Sequence, residues 1–352
     1  MQSDIQVTEK RHTAGPSGQP LLDQFVQGSF FQRTHAIAGF TNLDWRINRQ
    51  LTLSLGGRYS SEKKSIDYIP LAPCTDGTFS NCAVRSLSSS KHWHNFSPRM
   101  VLTWTPAEQI LFFASYTQGF RSGNFNPRTN DATGIGAGPA NPETVKSYEL
   151  GAKTDLFERK MRLNVSLYQT DYHNIQQVLT APGSTIIQTL LNAANARMRG
   201  IESEITIKPD AALEFNANIG YIDAKYRSFD VPVPGVSNPT TLASAKIPKW
   251  TIYLAGTYTR DLPTLDATLS LRVSYDWRSH FSTDFTNTPG LGQDAYGLTD
   301  ANLTLTKGNW SASLYARNLF NVVYAETKAR NFAWVAYGGQ PRTYGVRFGW
   351  KM

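Results

Sequence analysis

Few residues in this 352-residue sequence have the types and spacing that metal binding or catalysis requires. His92 and His94 flank Trp93, so on a β-strand both imidazoles would lie on one face, as two metal ligands could. No Cys, Asp or Glu stands at a suitable spacing to complete such a site. We therefore interpret the pair as polar side chains where a loop meets a strand, and we predict neither a metal nor another cofactor.

Catalytic arrangements are also missing from the sequence. Glu202 and Glu204 would share a strand face, where a hydrated polar wall is a simpler interpretation than an acid/base pair. The Gly-rich segments 119–128 and 130–142 lack the strand-to-helix context of a phosphate loop. No Ser-His-Asp order occurs in a motif setting, and the other histidines are isolated: His12, His35, His173 and His280. We predict that the protein is not an enzyme.

Cys74 and Cys82 are the two cysteines, and they lie in a stretch rich in Pro, Gly and Ser. They could close a short loop as a disulfide, which would imply an oxidising compartment. Two unpaired thiols are the alternative.

The charge distribution and the lengths of the apolar stretches argue against nucleic-acid binding and against a transmembrane helix. The formal net charge is +8, but the basic residues are scattered and no run of five or more like charges occurs, so we expect no nucleic-acid partner. The longest apolar stretches, such as 110–115, are far shorter than the roughly 20 residues of a transmembrane helix. Any crossing of a membrane must therefore use strands.

Alternation of apolar and polar residues is the strongest structural signal. Between Leu265 and Arg278 every second residue is apolar and every residue between is polar, which predicts a strand with two unlike faces. About thirteen segments share this pattern: 34–47, 51–59, 95–105, 110–120, 145–156, 161–177, 201–208, 213–221, 249–260, 265–278, 296–306, 310–321 and 342–352.

The connections between these strands alternate strictly between short and long. Tight turns, such as those at 48–50 and 307–309, alternate with long segments rich in Gly, Pro, Asn and Ser: 65–94, 121–144, 179–190, 230–248, 279–295 and 324–341. This rhythm is typical of a barrel with short turns on one side of a membrane and long loops on the other.

The polar alternate positions predict which face of the wall meets lipid. Charged side chains are costly in hydrocarbon, so we expect a wet interior to receive Arg58, Glu202, Glu204, Arg272, Asp276 and Arg347. Aromatic rings near strand ends favour the membrane interfaces, where we expect Tyr59, Trp104, Tyr221, Tyr275, Trp277 and Trp350.

Several motifs, taken in order along the chain, resemble one family of membrane proteins. They are Tyr116–Asn126 (YTQGFRSGNFN), Asn141–Gly151 (NPETVKSYELG), Gly200–Glu204 (GIESE), Arg317–Asn321 (RNLFN) and Pro341–Trp350 (PRTYGVRFGW). Over about residues 30–352 the chain resembles the TonB-dependent outer-membrane receptors. The resemblance implies a 22-stranded barrel closed by an N-terminal plug, which contacts an energy-transducing protein of the inner membrane.

We therefore predict an all-β fold, an antiparallel transmembrane β-barrel that is partial, with about 13 of the 22 strands that the resemblance implies and no plug domain. Residues 1–29 would be a polar N-terminal segment or an extracellular loop remnant, and residues 30–352 the receptor-like barrel. Because an odd number of antiparallel strands cannot close without a parallel pair, we expect unpaired edges at 34–47 and 342–352.

The last strand carries a candidate assembly signal. Apolar residues occupy every second position to the end of the chain, as in a signal read by the barrel-assembly machinery: Tyr344, Val346, Phe348, Trp350 and Met352. The usual last residue of this signal is Phe, and the alternative is simply an amphipathic final strand.

The function that the resemblance implies is energy-dependent uptake of a bulky nutrient, such as a ferric siderophore, across the outer membrane of a Gram-negative bacterium. Its partners would be outer-membrane lipid, the barrel-assembly machinery, the nutrient, and the TonB system through a plug absent from this chain. A passive porin-like or structural barrel is the alternative. The loops would catch the ligand, and their aromatic residues, none with an assigned contact, are Tyr68, Phe79, Trp93, Phe125, Tyr296, Trp334 and Tyr337.

Overall fold

The structure is a computed structural model that describes residues 2–9, 27–71, 87–126, 139–180, 188–230, 237–284, 287–330 and 334–351. Nearly all of its regular structure is strand. The described residues form two single-turn 3₁₀ helices, at Pro239–Thr241 and Pro263–Leu265. No helix in these ranges is long and apolar enough to cross a membrane.

One antiparallel sheet of fourteen strands dominates the fold, and each of its strands pairs with its neighbours along the chain. Two small hairpins, β12–β13 and β16–β17, lie in the loops at one end of it. The strands are β1 (Gln2–Glu9), β2 (Gln27–Arg46), β3 (Leu51–Leu71), β4 (Leu87–Ala107), β5 (Ile110–Arg121), β6 (Glu143–Leu156), β7 (Met161–Thr180), β8 (Gln188–Ile207), β9 (Leu213–Phe229), β10 (Trp250–Leu262), β11 (Ala267–Arg278), β12 (Phe281–Ser282), β13 (Gly292–Gln293), β14 (Tyr296–Lys307), β15 (Trp310–Arg317), β16 (Ala325–Arg330), β17 (Trp334–Gly338) and β18 (Thr343–Trp350).

All thirteen predicted strands are present, which confirms the all-β fold, and their bounds differ in three ways. β2, β3, β4, β7 and β8 have 20 or 21 residues each, so much of the predicted long segment 65–94 is strand. The strand predicted to begin at 265 begins at Ala267, because Pro263–Leu265 form a 3₁₀ turn and Asp266 takes a left-handed backbone with φ 50°. β15 ends at Arg317 rather than at 321.

β1 is a fourteenth strand that the alternation did not predict. It pairs with Gly28–His35 of β2, and the segment 1–29 was predicted only as a polar segment or loop remnant. The count is therefore even, so the odd-number argument for unpaired edges does not hold. The sheet order nevertheless runs from β1 to β18, and no pairing joins these two strands among the described residues. Residues 36–46 of β2 have no partner on the β1 side among the residues that the structure describes.

The strand register sorts the side chains into an apolar face and a polar face. The rows Leu43–Leu55–Met100 and Leu271–Leu303–Leu314 cross neighbouring strands on the apolar face. The predicted interface aromatics share this face, and Tyr59 and Trp350 are 52% and 54% exposed. The predicted interior residues lie on the polar face: Arg58, Glu202, Glu204, Arg272, Asp276 and Arg347.

The last strand follows the same alternation. Tyr344, Val346, Phe348 and Trp350 share the apolar face, and Trp350 packs its ring against Trp310 at 4.4 Å between centroids. Met352 lies outside the described residues. The assembly signal itself stays a prediction.

Candidate functional site

Glu202 and Glu204 line the polar face rather than a compact catalytic cluster. Glu204 accepts a hydrogen bond from the Asn164 amide at 3.2 Å. Both glutamates border a shallow cavity of about 440 Å³, together with Asp276 and Arg278, whose side chains form an ion pair at 3.2 Å. These side chains form a charged surface on the polar face of the sheet.

His92 and His94 do lie side by side, with ring centroids 4.3 Å apart. Each ring is bonded to β3: His94 Nδ1 is 3.0 Å from the Tyr59 hydroxyl and His92 Nε2 is 2.8 Å from the Ser61 hydroxyl. Within the described ranges no group of three or more His, Cys, Asp or Glu side chains could hold a metal ion. Cys74 and Cys82 lie outside the described residues, so their pairing stays a prediction.

A segment after β5 folds onto the polar face at the loop end of the sheet. Phe125 is 1% exposed and packs in a cluster with Ile66 of β3 and Trp93 of β4. The Ser122 hydroxyl donates to Glu62, and the backbone of Asn124 pairs with that of Ala140. These contacts hold residues 122–126 against the wall.

The side-chain amides of Gln176 and Asn192, on β7 and β8, hold the residues just before β6. Gln176 Nε2 donates to the backbone oxygens of Ser122 (2.9 Å) and Asn141 (3.0 Å). Asn192, which pairs with Gln176 across β7 and β8, donates to the Asn141 oxygen at 2.9 Å and accepts from its N–H at 2.6 Å. The loop-end segments of β5, β6, β7 and β8 are thereby joined.

Asn318 fastens the loop between β15 and β18. Its amide donates to the backbone oxygens of Val322 and Gln340 at 2.9 and 3.0 Å, and its oxygen accepts from the Val322 N–H at 2.8 Å. The residue is 4% exposed and has a left-handed backbone, with φ 47°. One side chain therefore ties both ends of this loop together.

A cavity of about 780 Å³ opens between the anchored loops. One wall comes from residues 243–250 and the other from residues 279–282 and 287–294, and Asn287 joins the two by bonds to both the N–H and the oxygen of Ala243. The backbone of Lys246 also donates to Ser282 at 2.7 Å. A volume of this size is typical of sites for small-molecule ligands.

The cavity combines positive charge with unused hydrogen-bonding capacity. The ammonium groups of Lys249 and Lys328 lie at its lining against one lining carboxylate, Asp294, and His280 adds an imidazole. One Lys328 N–H donates to the Gly292 oxygen at 2.6 Å. The Ser244 hydroxyl borders it, is buried, and has no hydrogen-bond partner among the described residues. A buried polar atom without a partner costs stability unless a ligand or water satisfies it. The chemistry therefore suits an anionic group that accepts hydrogen bonds.

The aromatic residues predicted to lie in the loops differ in their burial. Trp93 and Phe125 are buried in the loop anchor, and Tyr296 is 9% exposed and stacks on Tyr324 at 4.6 Å. Trp334 and Tyr337 are exposed on β17. Phe79 and the side chain of Tyr68 lie outside the described residues.

Sequence reasoning missed the cavity residues. His280 was taken as isolated, and the two lysines and Ser244 lie in segments that carry no motif. The sequence offered only the length of the loops as an indication of these residues, because no local pattern predicts which loops will contact each other.

Comparison with known proteins gives one family match and many structural relatives. The family model described as "TonB dependent receptor-like, beta-barrel" matches residues 6–319. The ferric yersiniabactin uptake receptor FyuA from Yersinia pestis is similar at a TM-score of 0.75 and 17% identity, over 92% of this chain and 46% of that chain. The siderophore receptor PiuA from Acinetobacter baumannii is similar at 0.71 and 19% identity, over 95% and 45%.

The ferric-catecholate import receptor Fiu from E. coli K12, in its closed form, is similar at a TM-score of 0.66 and 17% identity, over 96% of this chain and 46% of that chain. This chain thus spans about half the length of these receptors. Identities below 20% show a common fold alone.

Proposed function

Because the chain belongs to the TonB-dependent receptor-like β-barrel family, we propose that it forms part of the wall of an outer-membrane receptor for energy-dependent uptake of a bulky nutrient, such as a ferric siderophore. The cavity lined by residues 243–250, 279–282 and 287–294 is the observation that carries this proposal. It lies at the loop end of the sheet, where a ligand arriving from outside the cell would first meet the protein.

The ligand chemistry follows from the cavity lining. Lys249, Lys328 and His280 can donate to oxygen atoms, and the apolar Phe281 and Trp250 border the same space. A ferric complex with anionic oxygen ligands and an organic periphery combines both requirements. The structural relatives include receptors for ferric yersiniabactin and for a ferric catecholate.

The chain would act within a larger assembly. It spans about half the length of the relatives, and its sheet ends at β1 and β18. We propose that further strands continue the wall of a 22-stranded barrel and that a plug domain contacts the TonB system. Its partners would also include outer-membrane lipid and the assembly machinery of a Gram-negative bacterium.

The matched family consists of transport receptors, so we propose no catalytic role.

Energy dependence distinguishes active uptake from the passive, porin-like alternative. Uptake of iron-55 supplied as a ferric catecholate, ferric hydroxamate or ferric citrate complex should be compared in cells with and without a working TonB protein. We expect uptake of one complex to require both this chain and TonB. Uptake that persists without TonB would favour the porin-like alternative.

A further inference from the structure

Three arginines of the polar face line one small cavity near the last strands of the sheet. On β15, Ser313, Tyr315 and Arg317 hold successive positions on that face. Arg347 of β18 lies opposite Ser313, and Arg272 of β11 lies in the row of Tyr315, with one residue of β14 between them. We call Arg272, Arg317 and Arg347 the arginine cluster, and its cavity has a volume of about 210 Å³.

The positive charge of the arginine cluster has no ionic partner within the described ranges. None of its three side chains forms an ion pair there. The cavity has one lining carboxylate, Asp300, which accepts the backbone N–H of Asn318 at 2.9 Å. Glu214, two strands from Arg272 in the same row, pairs with Lys208 at 2.8 Å. A concave surface lined by one sign of charge attracts the opposite ion, so the arrangement favours an external anion.

Arginines elsewhere on the polar face are neutralised by neighbouring acids. Arg162 Nε donates to Asp155 at 2.7 Å, and Arg278 Nε donates to Asp276 at 3.2 Å. Both acids lie on the same polar face as their arginines. The arginine cluster therefore differs from these positions in keeping its charge available.

Neutral groups hold two of the three guanidinium groups in place. Arg272 donates to the Thr257 hydroxyl at 3.0 Å and to the Tyr253 hydroxyl at 3.1 Å. The Arg347 guanidinium lies over the Tyr315 ring, 5.7 Å from its centroid. These contacts orient both side chains without neutralising them. A guanidinium has five N–H donors, so each group keeps donors for a ligand.

The dimensions of the arginine cluster favour an anion with several carboxylates. Planar guanidinium groups bind carboxylate and phosphate through two parallel hydrogen bonds. Successive positions on one face of a strand are about 7 Å apart, so the three arginines stand at three levels, whereas the oxygens of one phosphate are close together. The cavity is smaller than the roughly 300–1,000 Å³ of sites that enclose a whole ligand. We propose that the arginine cluster binds the carboxylates of a small organic polycarboxylate, or of the acidic end of a larger one.

The role of this site in the molecule rests on the proposed transport function. Arg272 lies eight residues before His280, which lines the cavity at the loop end, so the two sites are about 25 Å apart along the wall. A ferric complex with free carboxylates that leaves Lys249 and Lys328 would meet the arginine cluster on its way toward the turn end. The cluster is then a second anion site on the path of the nutrient.

The site itself is tested without iron. The full chain in a non-ionic detergent is titrated by calorimetry with propane-1,2,3-tricarboxylate, an organic anion that has three carboxylates. We expect Arg317→Gln/Arg347→Gln to weaken binding by about a hundredfold, since each lost hydrogen bond to a charged group contributes about tenfold or more. The matched control, Arg58→Gln/Arg99→Gln, removes equal charge from exposed positions on the polar face of β3 and β4 and should bind as the wild type does.

Circular dichroism checks that each variant keeps its strand content, and Arg317→Gln alone, expected to lose about tenfold, replaces the double variant if that one unfolds. Inorganic phosphate should bind the wild-type chain more weakly than the tricarboxylate does. No tricarboxylate binding by the wild-type chain, equal losses in both double variants, or tighter binding of inorganic phosphate would overturn the proposal.

Failure of this site and failure of the proposed function give different results. If no ferric complex binds at the loop-end cavity while the tricarboxylate still requires Arg317 and Arg347, the proposed function is contradicted and the anion site stands. If a ferric complex binds at that cavity but the tricarboxylate does not bind, only the arginine cluster is contradicted.

Discussion

The side-chain amide of Gln176 on β7 donates to the backbone oxygen of Asn141, 35 residues earlier in the chain, at 3.0 Å. The same amide reaches Ser122, 54 residues earlier, at 2.9 Å. Gln176 is 7% exposed. One buried side chain thus joins the end of β5 to the start of β6, and the loop between them is held at both ends.

Replacing Gln176 by Leu should loosen this loop without unfolding the sheet. The oxygen of the buried Ser122 would lose its side-chain donor, whereas the Asn141 oxygen would keep the bond from Asn192. A buried partner left unsatisfied costs about 1–3 kcal/mol. Hydrogen exchange of the amides at 122–126 and 139–142 should become faster, while exchange in β10 and β11 stays unchanged. Gln109→Leu, at an exposed turn at the opposite end of the sheet, is the control. Unchanged exchange at 139–142 would show that the clamp does not hold the loop.

Gly200 marks a place where the sheet has no room for a side chain. A Cβ atom there would lie 2.4 Å from the backbone oxygen of Tyr221 and 2.5 Å from the Tyr168 ring. We expect Gly200→Ala to lower the free energy of unfolding by about 1–3 kcal/mol through overpacking. The urea midpoint of the chain in detergent measures this.

Gly39 on β2 provides the matched control, because a Cβ atom there would meet nothing within 4 Å. Gly39→Ala should leave the urea midpoint unchanged or raise it slightly, since alanine reduces the freedom of the unfolded chain. Equal losses at both positions would mean that the close approach of Tyr168 is not the cause.

The alternating last strand should matter for assembly through its apolar face. Phe348→Ser places a polar side chain on that face, whereas Arg347→Gln changes the polar face one residue away. If the strand is the assembly signal, Phe348→Ser should reduce the amount of chain recovered in outer-membrane fractions several-fold, and Arg347→Gln should not. Equal recovery of both variants would support the plain amphipathic strand.

The strands were predictable because burial on a two-sided wall imposes a period of two. The alternation between Leu271 and Trp277 places each side chain on the correct face, and the tight turns set which strands are neighbours. β1 escaped prediction because its eight residues, with only Ile5 and Val7 apolar, carry too short a pattern.

The apolar–polar alternation could not predict the contacts between the long loops. Strand pairing is local in this fold, whereas Asn287 meets Ala243 at a separation of 44 residues and Thr283 meets the backbone of Lys328 at 45. Such contacts depend on how neighbouring long loops fold against each other. The cavity, with Ser244 and Lys249 on one side and His280 on the other, is a product of that packing.

Binding of a ferric complex at this cavity is the decisive measurement. The full chain in detergent is titrated with ferric catecholate, hydroxamate and citrate complexes, and iron bound per chain is counted after gel filtration. At least one complex should bind, and Lys249→Gln/Lys328→Gln should weaken it by about a hundredfold or more, since each of the two substitutions removes a hydrogen bond from a charged group that contributes roughly 1.5–3 kcal/mol. Lys153→Gln/Lys208→Gln, at the turn end of the sheet, should bind as the wild type does. Binding that survives the cavity variant unchanged would contradict this assignment of the ligand site.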